Sequence, residues 1–554
     1  MASTQRPSLP DTLYYLNHFR HLMASVQARC GSLLSAEERQ FIGSFAALPE
    51  PSAALLVRMT MRRGPLFRSS RLRYPEIGDI AYAAAPMLDN GWLKEPSLDM
   101  AALHGLLTKR ELAEHLALSA DECRLSKPKL LELLRDRHPD SRPFHGWCPT
   151  SADRVFHPVI RPLAERFRLL FFGNFRQDLT DLVLVDLKIM AHEPMAEFLS
   201  PLFRTREQIE VFLALYGCRQ ELEEGGDLRK ILATMPGPIA DCDWLEEIRQ
   251  SLLFRAATAY ERLDADAALT VLATCRHRGA RMRSARLLER RQAWQAAHDV
   301  CVAAGAHPES DAERQHLRRL LPRLNRRLGF AVAKPTPPPA LATLHIALDH
   351  PPHDLPLECC VRDHLQAEPH TTVHYVENGL INSLFGLLCW DAVFAPVPGA
   401  FFHEFQQGPA DLERREFRER RRERFAECFA ALDSGRHHRI IRTRFAEKTG
   451  IQSPFVAWGL LNERLLGLAL DCFPPTHLRL WFEWILRDVV DNRAGFPDLV
   501  QFWPDERRYR MVEVKGPKDR VQDNQRRFLE YCTAHGMPVA VCWVTYPPGL
   551  SPSL

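Results

Sequence analysis

The stretch GFPDLVQFWPDERRYRMVEVKG, Gly495 to Gly516, constrains the fold of this 554-residue chain more than any other, because a two-residue period runs through it after a Pro-Asp. In RYRMVEVKG the alternation of a strand sends Val512 and Val514 to one face and Met511, Glu513 and Lys515 to the other. A β-hairpin from about Leu499 to Val514 returns Glu513 close to Asp498, where two carboxylates crowd each other unless they share a counter-ion. A hard divalent cation with Lys515 beside it meets the needs of phosphodiester hydrolysis: a polarised water and neutralisation of charge growing on phosphoryl oxygens. The alternative for such an ExK pair is a solvent-facing ion pair on an edge strand.

Downstream, DRVQDNQRRFLEYCTAHG predicts an amphipathic helix stopped by Gly536, followed by the apolar strand PVAVCWVTY. Gln525, Phe528, Leu529 and Cys532 fall on one stripe, which aims Gln525 at the strands. The order is strand, strand, helix, strand. Upstream, HYVENGLINSLFGLLCWDAVF predicts a helix in which Glu377 shares a face with Ile381, Leu384 and Leu388. A carboxylate on an apolar stripe is costly. Metal ligation satisfies it; the alternative is a glutamate at a helix N-terminus facing the macrodipole.

The clearest boundary is AVAKPTPPPALA, Ala331 to Ala342, whose three consecutive prolines form a stiff extended connector. Before it the chain is almost wholly helical in pattern; strong strand signals come only after it. With 46% hydrophobic and 25% charged residues, three or four globular domains are expected. The net charge is only +3, so nucleic-acid binding has to come from local patches. No apolar run suggests a signal peptide or membrane span, which points to a cytosolic or nuclear compartment and no membrane partner. The fourteen cysteines include no CxxC pair, which favours reduced buried thiols over a zinc site. His437 and His438 are expected in a solvated basic turn. DLERREFRERRRERF, Asp411 to Phe425, is expected to form a salt-bridged exposed helix.

RMTMRRGPLFRSSRLR carries Arg58, Arg62, Arg63, Arg68, Arg71 and Arg73 with no acidic residue among them, as suits a phosphate-tracking surface; the alternative is a solvated charged face. The segment from Ser97 to His138 predicts two short helices joined by a loop, the second with Ser126 as cap and Pro128 in its first turn. Between about Ala240 and Leu328, Ala259, Ala268, Trp294 and Ala297 alternate small and large, as stacked helix pairs require.

The nuclease-like constellation of Pro497, Asp498, Glu513, Val514, Lys515 and Gln525 resembles the PD-(D/E)xK superfamily and, within it, the VRR-NUC domain. RFAEKTGIQSPFVAWGLL and PVPGAFFHEFQQGPADL extend the likeness to the Fanconi-associated nuclease family in its bacterial form. The resemblance implies a multidomain chain, mainly α in its first two thirds and ending in an α/β restriction-endonuclease-like domain. It implies a helical DNA-binding domain at 1–95 and a SAP-like module at 96–140 with Lys109, Arg110, Lys127 and Lys129 on phosphates. A tetratricopeptide-like region at 141–335 and a VRR-NUC domain at 341–554 follow. Glu377, Asp498, Glu513 and the Val514 carbonyl would hold Mg²⁺ or Mn²⁺, with Asp498, Glu513, Lys515 and Gln525 catalytic. The implied activity is structure-selective phosphodiester hydrolysis of phosphodiesterase I type: 5′-flap endonuclease and 5′-to-3′ exonuclease, in interstrand cross-link repair. The implied partners are branched or 5′-flap duplex DNA and other repair proteins, with the chain a monomer in a bacterial cytoplasm near the nucleoid, or in a nucleus if eukaryotic. Competing expectations are a Holliday-junction resolvase-type nuclease and a non-catalytic DNA-binding scaffold.

Overall fold

The computed structural model describes residues 12–62, 64–195, 199–332, 340–348 and 355–546. They fall into two compact units, Met1–Arg204 with Phe402–Phe405, and Thr205–Phe401 with Gln406–Leu554.

In the first unit, helices Tyr14–Cys30, Ala36–Ala46 and Glu50–Met61 bury Tyr15, Leu16, Phe41, Leu55 and Leu56. Ser35 and Glu38 close a capping box that starts the second of them. Phe67–Arg68, Val155–Pro158 and Leu93–Lys94 form a small sheet in the order first, second, third. These strands run two to four residues and so leave no periodic trace in the sequence. Helices Lys109–His115 and Lys127–Arg137 share a core of Leu98, Leu103, Leu112, Leu130, Leu134 and Trp147.

The second unit opens with successive helices from Arg206–Glu223 to Asp311–Leu328, each packed on its neighbour. Ala268, Ala285, Ala297 and Ala304 are wholly buried between them, where the absence of a larger side chain lets the helices approach. Arg278 donates to both Asp488 and Asp491, at 2.5 and 2.7 Å, and so ties these helices to the segment just before the Pro-Asp. The proline run of the expected connector lies outside the described residues.

After it comes a five-stranded sheet in the order Ala342–Ala347, Val539–Thr545, Arg508–Lys515, Leu499–Trp503, Thr372–Tyr375. Val539–Thr545 is parallel to both neighbours, and the other pairings are antiparallel. Helix Leu357–Gln366 packs through Val361 and Leu365 against Leu499, Val512 and Val514. On the opposite face, Phe473, Trp481, Phe502 and Tyr509 form an aromatic cluster under helix Pro475–Arg487. Among the described residues, no helix is long and apolar enough to cross a membrane.

Two local expectations are corrected. Asp411 to Arg418 is a run of turns, followed by a 3-10 turn at Glu419–Arg421 and α-helix only from Arg422 to Asp433, because Arg421 turns inward to a buried ion pair with Asp411 at 2.8 Å. His437 is buried as the first residue of helix His437–Lys448; burial pushes its pKa below the usual range and keeps it neutral.

Candidate active site

The register Leu499↔Val512, continued by one residue, sets Asp498 opposite Glu513 on one face of the sheet. The N–H of Val514 donates to Asp498 Oδ2 at 2.8 Å. Glu513 is fully buried, and Lys515 Nζ donates to its Oε1 at 2.5 Å. Its other oxygen, Oε2, is buried with no hydrogen-bond partner. Burial first, and then the charge of Asp498, pushes the Glu513 carboxyl up to about 7. Asp498 is also raised, mainly by burial, with Glu358 and Glu377 adding to it and the Val514 N–H and Lys515 opposing. Two buried acids both held toward protonation, one with an orphaned oxygen, are a donor set that fits a hard divalent cation.

Glu377 differs from expectation. Helix Gly379–Leu388 begins two residues later and is buried on every side from Leu380 to Leu388, so the carboxylate belongs to no stripe of it. The reason lies in the backbone: the Asp498 carbonyl accepts the N–H groups of Val376 at 2.8 Å and Glu377 at 3.0 Å. These bonds extend the pairing of Thr372–Tyr375 with Leu499–Trp503 and force a turn in which Glu377 takes φ of 35°. A non-glycine residue in that region carries about 1–3 kcal/mol of strain. The exposed Glu377 side chain accepts from Tyr375 Oη at 2.7 Å. Among the described residues, no three His, Cys, Asp or Glu side chains stand close enough to hold a metal ion. Asp498 and Glu513 meet; Glu377 reaches Asp498 through the backbone, with its carboxylate turned to Tyr375.

Gln525 is half-buried on helix Asp523–Ala534, where its Oε1 accepts the N–H of Gln522 at 2.9 Å and closes a capping box. Its oxygen is thus engaged with its own helix. Sequence reasoning missed Glu358, Tyr375 and Asn378, which surround Glu377 or act on Asp498. Tyr375 and Asn378 flank Glu377 closely in sequence, and that adjacency is the signal for them.

The arginine run divides. Arg68 is buried, donating to Asp153 at 2.5 and 3.0 Å and to Glu111 at 2.7 Å, so it is a structural ion pair and not a phosphate contact. Arg58 pairs with Glu76 at 2.7 Å and lies 3.8 Å over the Tyr15 ring. Arg62, Arg71 and Arg73 are exposed and, with Arg58, Tyr74 and Glu111, line a cavity of about 810 Å³. Arg63 lies outside the described residues. Lys109 donates to the Leu125 carbonyl at 2.6 Å and Lys127 to the Leu107 carbonyl at 3.4 Å, each lysine latching the other's helix entry. Arg110 and Lys129 are exposed.

Family models match three parts of the chain: the FAN1 HTH domain at residues 13–94, the Fanconi anemia-associated nuclease SAP domain at 97–147 and the VRR-NUC domain at 432–546. The chain is 47% identical over 544 residues to the Fanconi-associated nuclease 1 homolog of Pseudomonas aeruginosa, covering 98% of this chain and 97% of that protein. It is 25% identical to the Arabidopsis thaliana homolog, covering 97% of this chain and 67% of that one. Its structure is similar to that of paFAN1 bound to 2nt 5′ flap DNA with gap, with a TM-score of 0.93, 47% identity and coverage of 98% and 99% of the two chains. A second paFAN1 structure, bound to 1nt 5′ flap DNA with gap, gives a TM-score of 0.90 and 46% identity over 97% and 99%. Near-complete coverage at this identity, with the carboxylate pair and its lysine in place on the shared sheet, shows that the chain belongs to the Fanconi-associated nuclease family.

Proposed function

We propose that this chain is a structure-selective nuclease that cuts 5′-flap duplex DNA and trims it 5′ to 3′, using Mg²⁺ or Mn²⁺. The observation that carries this is Glu513: fully buried beside Asp498, held up to about 7, with one oxygen unpartnered. Asp498, Glu513 and the Val514 carbonyl would hold the cation, joined by Glu377 once its carboxylate leaves Tyr375. A bound divalent cation supplies Lewis-acid polarisation of the scissile phosphate and favours ionisation of the attacking water.

The chain's own groups do the rest. Asp498 is oriented by the Val514 N–H and keeps its second oxygen for the site. Lys515, released from Glu513 as that carboxylate engages elsewhere, presents its ammonium to charge growing on the phosphoryl oxygens. Gln525 stabilises the helix entry behind them.

Substrate binding is assigned to residues 1–95 and the SAP-like module at 96–140, with Arg62, Arg71, Arg73, Arg110 and Lys129 tracking phosphates. The helical region at 141–335 joins these in sequence to the VRR-NUC domain at 341–554. The similarity to paFAN1 bound to 5′ flap DNA supports the flap as substrate. The reading extends to interstrand cross-link repair, which membership of the family supports, by a monomer in the cytoplasm. Parallel assays on 5′-flap and four-way junction DNA, with Mn²⁺ or chelator, test the reading: metal-dependent flap cutting is expected, and cutting confined to the junction overturns it.

A further inference from the structure

We infer that Asn378 is a positioning residue that locks the Glu377 turn to the loop leading into Asp498, an inference that rests on the metal-dependent reading above. Asn378 stands at the N-cap of helix Gly379–Leu388, where an asparagine ordinarily accepts an N–H of its own helix. Here it makes no such bond. Its Oδ1 instead accepts the N–H of Gly495 at 2.8 Å and of Phe496 at 3.1 Å, more than a hundred residues away in sequence. Its Nδ2 faces Glu377 Oε1 at 3.4 Å. Asn382, one turn on, donates to the Asn378 carbonyl at 2.7 Å and to the Arg493 carbonyl at 2.8 Å.

The two acid-bearing segments are thus fastened at both ends. Backbone bonds from Val376 and Glu377 to the Asp498 carbonyl hold one end, and the Asn378 amide holds the other. Gly495 fits this arrangement alone, with φ of +91° and a would-be Cβ 2.9 Å from the Asn524 carbonyl carbon. The diversion of a capping side chain to a distant loop sacrifices a local bond for the relative placement of Glu377 and Asp498. Groups that orient metal ligands in this way typically control cation affinity by about 10–100-fold.

The test compares wild type with Asn378→Ala, Asn378→Ser and Asn378→Asp, reading Mn²⁺ binding by calorimetry without DNA, melting temperature, and kcat and KM on a 5′-flap duplex. Asp keeps the acceptor oxygen; Ser can cap the helix but is too short to reach the loop. The expected result is Mn²⁺ affinity lower by about tenfold or more for Ala and Ser, with kcat falling and KM within about twofold. Asp restores affinity, and Ser melts no lower than wild type because it caps. Should Ala fail to fold, Ser and Asp decide. Mn²⁺ affinity in Ser equal to wild type, or an Asp variant as impaired as Ser, overturns the inference. A wild type that neither binds Mn²⁺ nor cuts the flap overturns instead the reading on which it rests.

Discussion

Lys515 Nζ donates to Oε1 of Glu513 across 2.5 Å, while Oε2 of the same buried carboxylate has no partner. The lysine compensates half of the carboxylate and leaves the other half uncompensated. Lys515→Ala is therefore expected to lower kcat on a 5′-flap duplex by about 10²–10³, the usual cost of removing one charge-stabilising donor. Flap binding measured with Ca²⁺ should stay within about twofold, because binding is proposed to rest on the exposed arginines of the first unit. Abolished binding in a folded Lys515→Ala protein contradicts this division.

Stability should depend on pH through Glu513. Its folded pKa, about 7, lies above the ordinary 4.5, so in the folded state it keeps a proton that the unfolded chain gives up. Without divalent cation, stability falls as pH rises from about 4.5 to about 7 and levels off above, by on the order of 3 kcal/mol. Glu513→Gln lessens that slope, leaving the contribution of the raised Asp498. Melting curves of both proteins in chelator across this window check it; parallel pH profiles would rule it out. Because cation binding needs the carboxylate ionised, cleavage should rise over the same window.

The arginine run should split by burial. Arg68→Ala leaves Asp153 and Glu111 without their buried partner and is expected to cost about 3–5 kcal/mol of stability, read by denaturant unfolding. Arg62→Glu and Arg71→Glu should leave stability nearly unchanged while weakening flap binding. The slope of log affinity against log salt should lessen by about one for each phosphate that is no longer neutralised. An unchanged slope removes these arginines from the DNA footprint.

The hairpin and the Asp498, Glu513 and Lys515 set were legible in the sequence because a strand's period of two is local, and a Pro-Asp marks where the partner strand begins. Glu377 was legible as a candidate but not in its geometry. Its φ of 35° comes from N–H groups captured by a carbonyl more than a hundred residues away, and no helical periodicity encodes that. Arg68 was misassigned for a related reason. Its local window has no acid, yet the fold brings Asp153 and Glu111 to it. Arg421 and Asp411 repeat the pattern inside an apparent helix of alternating charge. Asn378 escaped notice because a polar residue at a helix start is normally read as a cap, and only the structure shows where its amide goes.

The most direct test of the central claim is cleavage of an end-labelled 5′-flap duplex by wild type and Asp498→Ala, each with Mn²⁺, Mg²⁺ or chelator. The account predicts incision near the flap junction by wild type with either cation, none in chelator, and none by the folded variant. Incision by Asp498→Ala at the wild-type rate, or by wild type in chelator, would contradict it.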